Sequence, residues 1–322
     1  MSKPFRSTFG LRWEFESHHR GRRMRQSGWV VFLVILACMP LFWPPEACSA
    51  NDAEVLAPGV DFPEGTIFLG DTLYFVDYAG SSVLKLASAG QELVWHETGC
   101  GPAGLLARPE GLLVACYDGN HVVLISLDGK VLKRIDQDVD GRGFAGPNDL
   151  AADARGGVYF SASGSNKSGK VYYYGSDGRA KPVASDIDYA NGLVLSPDGS
   201  RLYVAESEAH RLLYALVAAD GTVGPLHEFV NLDALLAKGR SYVPDGARVD
   251  AQGRLFVGLW DGGGFAVIGA DAKLIAQVDV AGEHHANLAI SPDGRFIFGT
   301  TVSGEGSERH GALYKVPNPV FK

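Results

Sequence analysis

The chain predicts an all-β fold, a six-bladed β-propeller with four-stranded antiparallel blades around a central channel. Three observations carry that reading. A unit of short apolar strand, turn and second strand is clearest at Asp188–Glu206, where Leu193–Leu195, the turn Pro197-Asp198-Gly199 and Arg201–Ala205 follow one another. The same unit starts again near Pro63, Pro102, Pro147, Pro244 and His285, which makes six copies. The equivalent positions Glu64, Ala103, Asn148, Asn191, Asp245 and Asn287 lie 39, 45, 43, 54 and 42 residues apart, the period of propeller blades.

Residues 1–50 stand outside the repeats. Arg20, Arg22, Arg23 and Arg25 precede an apolar run from Trp29 to Met39, and Pro40, Pro44-Pro45 and the small residues of Ala47–Ala50 follow. A basic region, a short apolar region and small residues describe a secretory signal, with Met24 an alternative start and cleavage expected near Ala50. The run is too short and too interrupted by proline for a comfortable membrane span. Two anchored forms stay open: Ile35-Leu-Ala-Cys38 resembles a lipoprotein cleavage box, and an uncleaved leader would tether the chain. The expected location is therefore periplasmic or extracellular, with residues 51–322 forming one propeller domain.

The whole chain of 322 residues carries a net charge of −8. Residues 1–50 hold seven Lys/Arg and three Asp/Glu, so the remainder carries −12, a surface that invites neither nucleic acid nor anionic membrane. Asn51–Val60 is expected to pair with the last blade and close the ring, because a ring closed by both termini hides its sheet edges. Val83–Leu86, Val122–Leu127, Val171–Tyr174, Arg211–Leu216 and Ala312–Val316 read as third strands, and Trp95, Pro182-Val183 and Phe229 mark outer ones. Asn231–Lys238 has helical spacing with an Asn or Asp cap, and reads as a short helix near the channel mouth. Asn166–Gly169 and Ser303–His310 read as polar surface turns.

Cys100 and Cys116 flank neighbouring strands of the second blade, and the spacing leaves a disulfide and two buried thiols equally open. No Cys/His spacing suits zinc, and His284-His285 reads as exposed polar filler.

In a propeller the first strand of each blade lines the channel, so the six equivalent positions should converge near the axis. Five of them carry side-chain oxygens. Glu64, Asn148, Asn191 and Asp245 would assemble two carboxylates and two amide carbonyls, hard donors that suit Ca²⁺ better than Zn²⁺, with Mn²⁺ or Mg²⁺ also admissible. Two buried carboxylates side by side are costly unless a cation joins them.

Phe62-Pro-Glu64-Gly65, Pro147-Asn148-Asp149, Ala190-Asn191-Gly192-Leu193 with Ser196-Pro-Asp-Gly199, and Pro244-Asp245-Gly246 with Gly253–Val257 resemble the signature segments of the gluconolactonase, senescence-marker-protein (regucalcin) and luciferin-regenerating-enzyme family. Tyr189–His210 is more distantly similar to paraoxonases and strictosidine-synthase-like proteins. The resemblance runs from about Asp61 to Val316. It implies one divalent metal held by Glu64, Asn191 and Asp245, with Asn148 contacting metal-bound water or substrate and Asp245 also the general base. Paraoxonases place an asparagine ligand after this aspartate, where Gly246 stands here, and their histidine dyad has no counterpart. The reaction implied is hydrolysis of a small-molecule lactone or related ester, with Asp245 taking a proton from the attacking water. The competing expectation is an exported, non-catalytic propeller that binds a protein or glycan around a structural cation.

Overall fold

Six four-stranded antiparallel sheets form the ring in the computed structural model, which describes residues 53–321. The leader expected over residues 1–50 lies outside the described residues. Strand β1 (Glu54–Val60) comes first. Blade I is β2–β5 (Pro63–Leu69, Thr72–Asp77, Ser82–Ala87, Gly90–His96), and blade II is β6–β9 (Pro102–Arg108, Gly111–Cys116, His121–Ile125, Val131–Ile135). Blade III is β10–β13 (Pro147–Ala152, Val158–Ala162, Gly169–Tyr174, Ala180–Ile187) and blade IV is β14–β17 (Ala190–Leu195, Arg201–Glu206, Arg211–Leu216, His227–Asn231). Blade V is β18–β21 (Pro244–Val249, Leu255–Leu259, Gly264–Ile268, Leu274–Asp279), and blade VI holds β22–β24 (Leu288–Ile290, Phe296–Ser303, His310–Pro317).

Blade VI takes its outer strand from the other end of the chain, with β1 antiparallel to β24 in the order β1-β24-β23-β22. Glu54 lies opposite Lys315, and their side chains meet at 3.3 Å. The expected closing strand is thus found at Glu54–Val60.

Turn chemistry sets the hairpins. In Ser196–Ser200 the Asp198 carboxylate accepts from Ser196 Oγ at 2.5 Å and from the Ser200 backbone N–H at 3.0 Å, which locks the tight reversal between β14 and β15. Asp293 does the same from Ser291 Oγ at 2.6 Å between β22 and β23. The apolar core lies between blades: Val76 and Val83 of blade I pack with Leu112, Val114 and Ile125 of blade II, and Val194 and Leu212 of blade IV with Leu255, Val257 and Leu259 of blade V.

Three local expectations change. The helix, α1, covers only Leu232–Leu235; Asn231 caps it by accepting from the Ala234 N–H at 3.0 Å, and Leu236 is already extended. It packs on β16 and β17, with Leu232, Leu236 and Tyr242 buried in the core between blades IV and V. His285 is not exposed filler but buried, and burial pushes its pKa down to about 4. Cys100 and Cys116 form a disulfide across 16 residues, which resolves the alternative the sequence left open.

A covalent loop of this length restricts the unfolded chain, so the double substitution Cys100→Ser/Cys116→Ser should lower unfolding free energy by about 3 kcal/mol. Urea unfolding without reductant measures it, and the wild type with reductant should move toward the variant.

Candidate active site

Each inner strand starts at the same end of the ring, and five of the six begin with a fault in their pairing. The register slips between Glu64 and Ile67, Pro102 and Gly104, Pro147 and Leu150, Ala190 and Leu193, and Pro244 and Ala247. Such a bulge twists the strand locally and re-aims a side chain, here at the positions equivalent to Glu64. The residue that follows must often be glycine, because the next blade's backbone lies against it. A Cβ on Gly192 would fall 2.3 Å from the Asp245 carbonyl oxygen, and one on Gly246 would fall 2.5 Å from Asn287 Nδ2. The absence of an asparagine ligand at Gly246 is therefore imposed by packing.

Glu64, Asn148, Asn191 and Asp245 all line one cavity of about 400 Å³, large enough for a small molecule. Ala103 lines it without contributing a donor, and Asn287 is not part of its wall. Glu64, Asn191 and Asp245 are buried, and Asn148 is half-buried.

Two serines orient the two amides. Ser207 Oγ donates its single proton to the Pro244 carbonyl at 2.6 Å, so toward Asn191 it can only accept, which it does from Nδ2 at 3.2 Å. Ser163 Oγ likewise donates to the Ala190 carbonyl at 2.8 Å and accepts from Asn148 Nδ2 at 3.3 Å. The carbonyl ends of both amides are thereby left as the free ends. Asn191 Oδ1 is fully buried and has no hydrogen-bond partner among the described residues. Ser163 and Ser207, at the ends of second strands, were missed in the sequence; their signal is the repeated Ser just past the strand, which only the fold connects to the neighbouring blade.

The two acids strain against each other. Glu64 is held well above the usual carboxylate range, first by burial and then by the negative charge of Asp245, with only weak relief from the Gly65 N–H and the Asn287 amide. Asp245 rises to about 8, again mainly through burial, with the Asn191 amide opposing and the Asp149 charge adding to the rise. Among the described residues no three His, Cys, Asp or Glu side chains gather as a metal cluster. The donors here are instead two carboxylates plus amide oxygens. An orphaned buried carbonyl beside two carboxylates that resist ionisation is a set of hard donors that fits a divalent cation.

Beneath this group the axis carries a charge that is already paired. Arg248, on the same strand as Asp245, donates from Nη1 to Asp149 Oδ2 at 3.0 Å and from Nη2 to the Thr66 carbonyl and Asn287 Oδ1, both at 3.0 Å. Asn287 also accepts from Thr66 Oγ1 at 3.3 Å. One guanidinium thus ties strands of blades I, III, V and VI together. This explains why Asn287, equivalent in sequence to the four site residues, serves the floor instead.

The mouth is lined by Phe62, Tyr78, Tyr117, Tyr189 and Trp260, together with Ser207, Glu208 and Val243. These residues sit in loops just before first strands or just after second strands, at the end of the ring where the site residues lie.

Comparison with known proteins points the same way. Residues 62–291 match the family model described as "SMP-30/Gluconolactonase/LRE-like region". Lactonase drp35 of Staphylococcus saprophyticus is 26% identical over 241 residues, 72% of this chain and 70% of the relative. Pentonolactonase XacC of Haloferax volcanii is 28% identical over 210 residues, 63% of this chain and 68% of the relative. Among solved structures, a gluconolactonase from Xanthomonas campestris superposes with a TM-score of 0.69 at 20% identity, covering 82% of this chain and 89% of its own. A calcium-binding protein, regucalcin, from Agrobacterium tumefaciens does so with a TM-score of 0.66 at 19% identity, covering 83% and 96%. These two likenesses establish the shared fold.

Two expectations follow from the electrostatics. Arg248→Met leaves Asp149 buried without its partner and should cost about 3–5 kcal/mol in urea unfolding, with Asp149→Asn in the same chain recovering part of the loss. In chelator, the folded chain holds protons on Glu64 and Asp245 that the unfolded chain releases at lower pH. Stability is then fully present at acid pH and is lost as pH rises toward the folded value of about 8. The melting temperature of chelated protein should fall from about pH 5 to about pH 8, and excess Ca²⁺ should flatten that fall. A chelated melting curve indifferent to both pH and Ca²⁺ contradicts it.

Proposed function

Because the chain belongs to the SMP-30/gluconolactonase/LRE-like family, we propose that it is a divalent-metal-dependent hydrolase of lactones or related esters. Lactone hydrolysis is the reaction supported at the level of the family, whose relatives include a lactonase and a pentonolactonase by name. The metal and the mechanism are our reading of the site. The observation that carries it is the buried, unpartnered Asn191 Oδ1 beside two buried carboxylates that line a cavity with room for a substrate.

Glu64, Asn191 and Asp245 would hold the cation, with Asn148 at its edge. Calcium suits this all-oxygen set best, and magnesium, manganese and zinc are the alternatives. The chemistry supplied by such an ion is polarisation of a lactone carbonyl and stabilisation of the charge that develops on its oxygen.

The remaining work belongs to the chain. Asp245 takes a proton from the attacking water as general base. Asn148, its amide turned by Ser163, orients that water or a substrate oxygen. Ser207 keeps Asn191 from rotating its Nδ2 toward the cavity, where a donor would face the cation. Burial of Glu64 and Asp245 strengthens every charge interaction at the reacting centre. Room beside these side chains favours a hydrolase over a binding propeller with a purely structural cation. Export to the periplasm or extracellular space is proposed with it, and the Cys100–Cys116 disulfide supports an oxidising compartment.

Asp245→Asn tests the assignment. Hydrolysis of δ-valerolactone in the presence of Ca²⁺ should drop by about 10²–10⁴-fold while the far-ultraviolet spectrum stays that of the wild type. Turnover at the wild-type rate would remove Asp245 from the mechanism.

A further inference from the structure

We infer that the aromatic arc at the mouth makes this site selective for uncharged lactones bearing a flat apolar or aryl substituent, over polyhydroxylated and anionic lactones. The inference rests on the lactone-hydrolase reading and narrows its substrate class.

The arc is continuous. Trp260 and Phe62 stack with centroids 5.5 Å apart, Phe62 and Tyr78 meet at 5.2 Å, Tyr78 and Tyr117 at 6.2 Å, and Tyr117 and Tyr189 at 6.4 Å. The five rings come from loops of four blades and all line the cavity. They are backed from outside, since His284 lies flat on Trp260 at 4.3 Å and the Arg309 guanidinium covers Phe62 at 5.4 Å. Tyr117 follows the disulfide-bonded Cys116, and Tyr189 holds φ +65°, a left-handed conformation that a bulky side chain adopts only when its surroundings impose it. The wall is therefore preorganised, and a flat substituent can stack on it without ordering it first.

Several hydrogen-bonding groups of the cavity are already committed. Tyr78 donates to Asp118 Oδ1 at 2.8 Å, and the Tyr117 and Tyr189 hydroxyls bond each other at 2.9 Å, which uses one of their two protons. Asn148 Nδ2 and the Ser207 hydroxyl are engaged with protein partners, and Glu64, Asn191 and Asp245 are assigned to the cation. Beyond these, the lining side chains offer one phenolic proton, the Trp260 indole N–H, the Asn148 amide with its carbonyl and second proton, and the Glu208 carboxylate. A sugar lactone could lay its ring on the aromatic wall, but hydroxyls turned toward the ring faces of Phe62, Tyr78 and Trp260 would lose water and gain no partner there. The lining includes three carboxylates, Glu64, Glu208 and Asp245, and no Lys, Arg or His, so an anionic substituent would meet repulsion outside the reach of the cation.

The test uses the full chain with Ca²⁺ and a matched series: δ-valerolactone, its 6-phenyl and 6-carboxy derivatives, and glucono-δ-lactone. Expected is a kcat/KM for the phenyl compound about 10- to 100-fold above glucono-δ-lactone, with the carboxylated compound lowest. Trp260→Ala should collapse the phenyl-to-unsubstituted ratio through KM, and Trp260→Phe should retain it. Glucono-δ-lactone or the carboxylated compound at or above the phenyl compound overturns the inference. Binding of the corresponding lactams, which do not hydrolyse, separates it from the hydrolase reading when followed by calorimetry. Tighter binding of the phenyl lactam than of the polyhydroxy lactam supports the inference even if no lactone turns over, an outcome that removes only the hydrolase reading. Equal or reversed affinities overturn it.

Discussion

Around the axis of this propeller the inner strands approach one another at backbone distance, closer than any side chain between them would allow. Gly192 and Gly246 sit where the neighbouring blade leaves no space for a Cβ. The bulges at the starts of the inner strands are the second half of the same constraint, because they turn one residue per blade away from the crowded wall and into the lumen. Residues far apart in the chain are thereby brought to one cavity, and their chemistry follows from how little water reaches them there.

Burial then sorts the charged groups on the axis into two layers. In the lower layer Asp149 and Arg248 compensate each other, and Asn287 and the Thr66 carbonyl absorb the remaining guanidinium protons. In the upper layer Glu64 and Asp245 have no cationic side chain beside them in the cavity lining, and the Asn191 carbonyl has no partner among the described residues. One buried carboxylate neutralised by arginine and two others left beside an open cavity are the contrast on which the proposed cation site rests. The serines that orient Asn148 and Asn191 belong to this design, since an amide free to flip could present either an acceptor or a donor.

The blade ends that carry the site also carry its surroundings. Loops before first strands and after second strands emerge on one face, so the aromatic arc rises directly beside the four polar residues. The scaffold can therefore keep the reacting groups while the loops change what is admitted.

The six-fold recurrence of strand and turn, the period between copies and the oxygen-bearing residue at five of the six inner strands were legible in the sequence, because turn chemistry and strand alternation are local. The closing strand near Val60 and the hairpin at Pro197–Gly199 were readable for the same reason. Long-range packing decided the rest. Asn287 looked equivalent to Asn191 and was claimed by Arg248, an interaction across the ring that no spacing reveals. His285 looked like loop filler and is buried, and α1 covers half of its expected span, ending where Leu236 turns extended. The serines that turn the amides act on the neighbouring blade, so their role exists only once the blades are in contact. The sequence by itself determined which kinds of atoms would meet on the axis, because side-chain chemistry and repeat period travel with the chain. Only the tertiary structure decided which of them pair with each other and which remain free to bind, because that depends on distances between residues the chain separates.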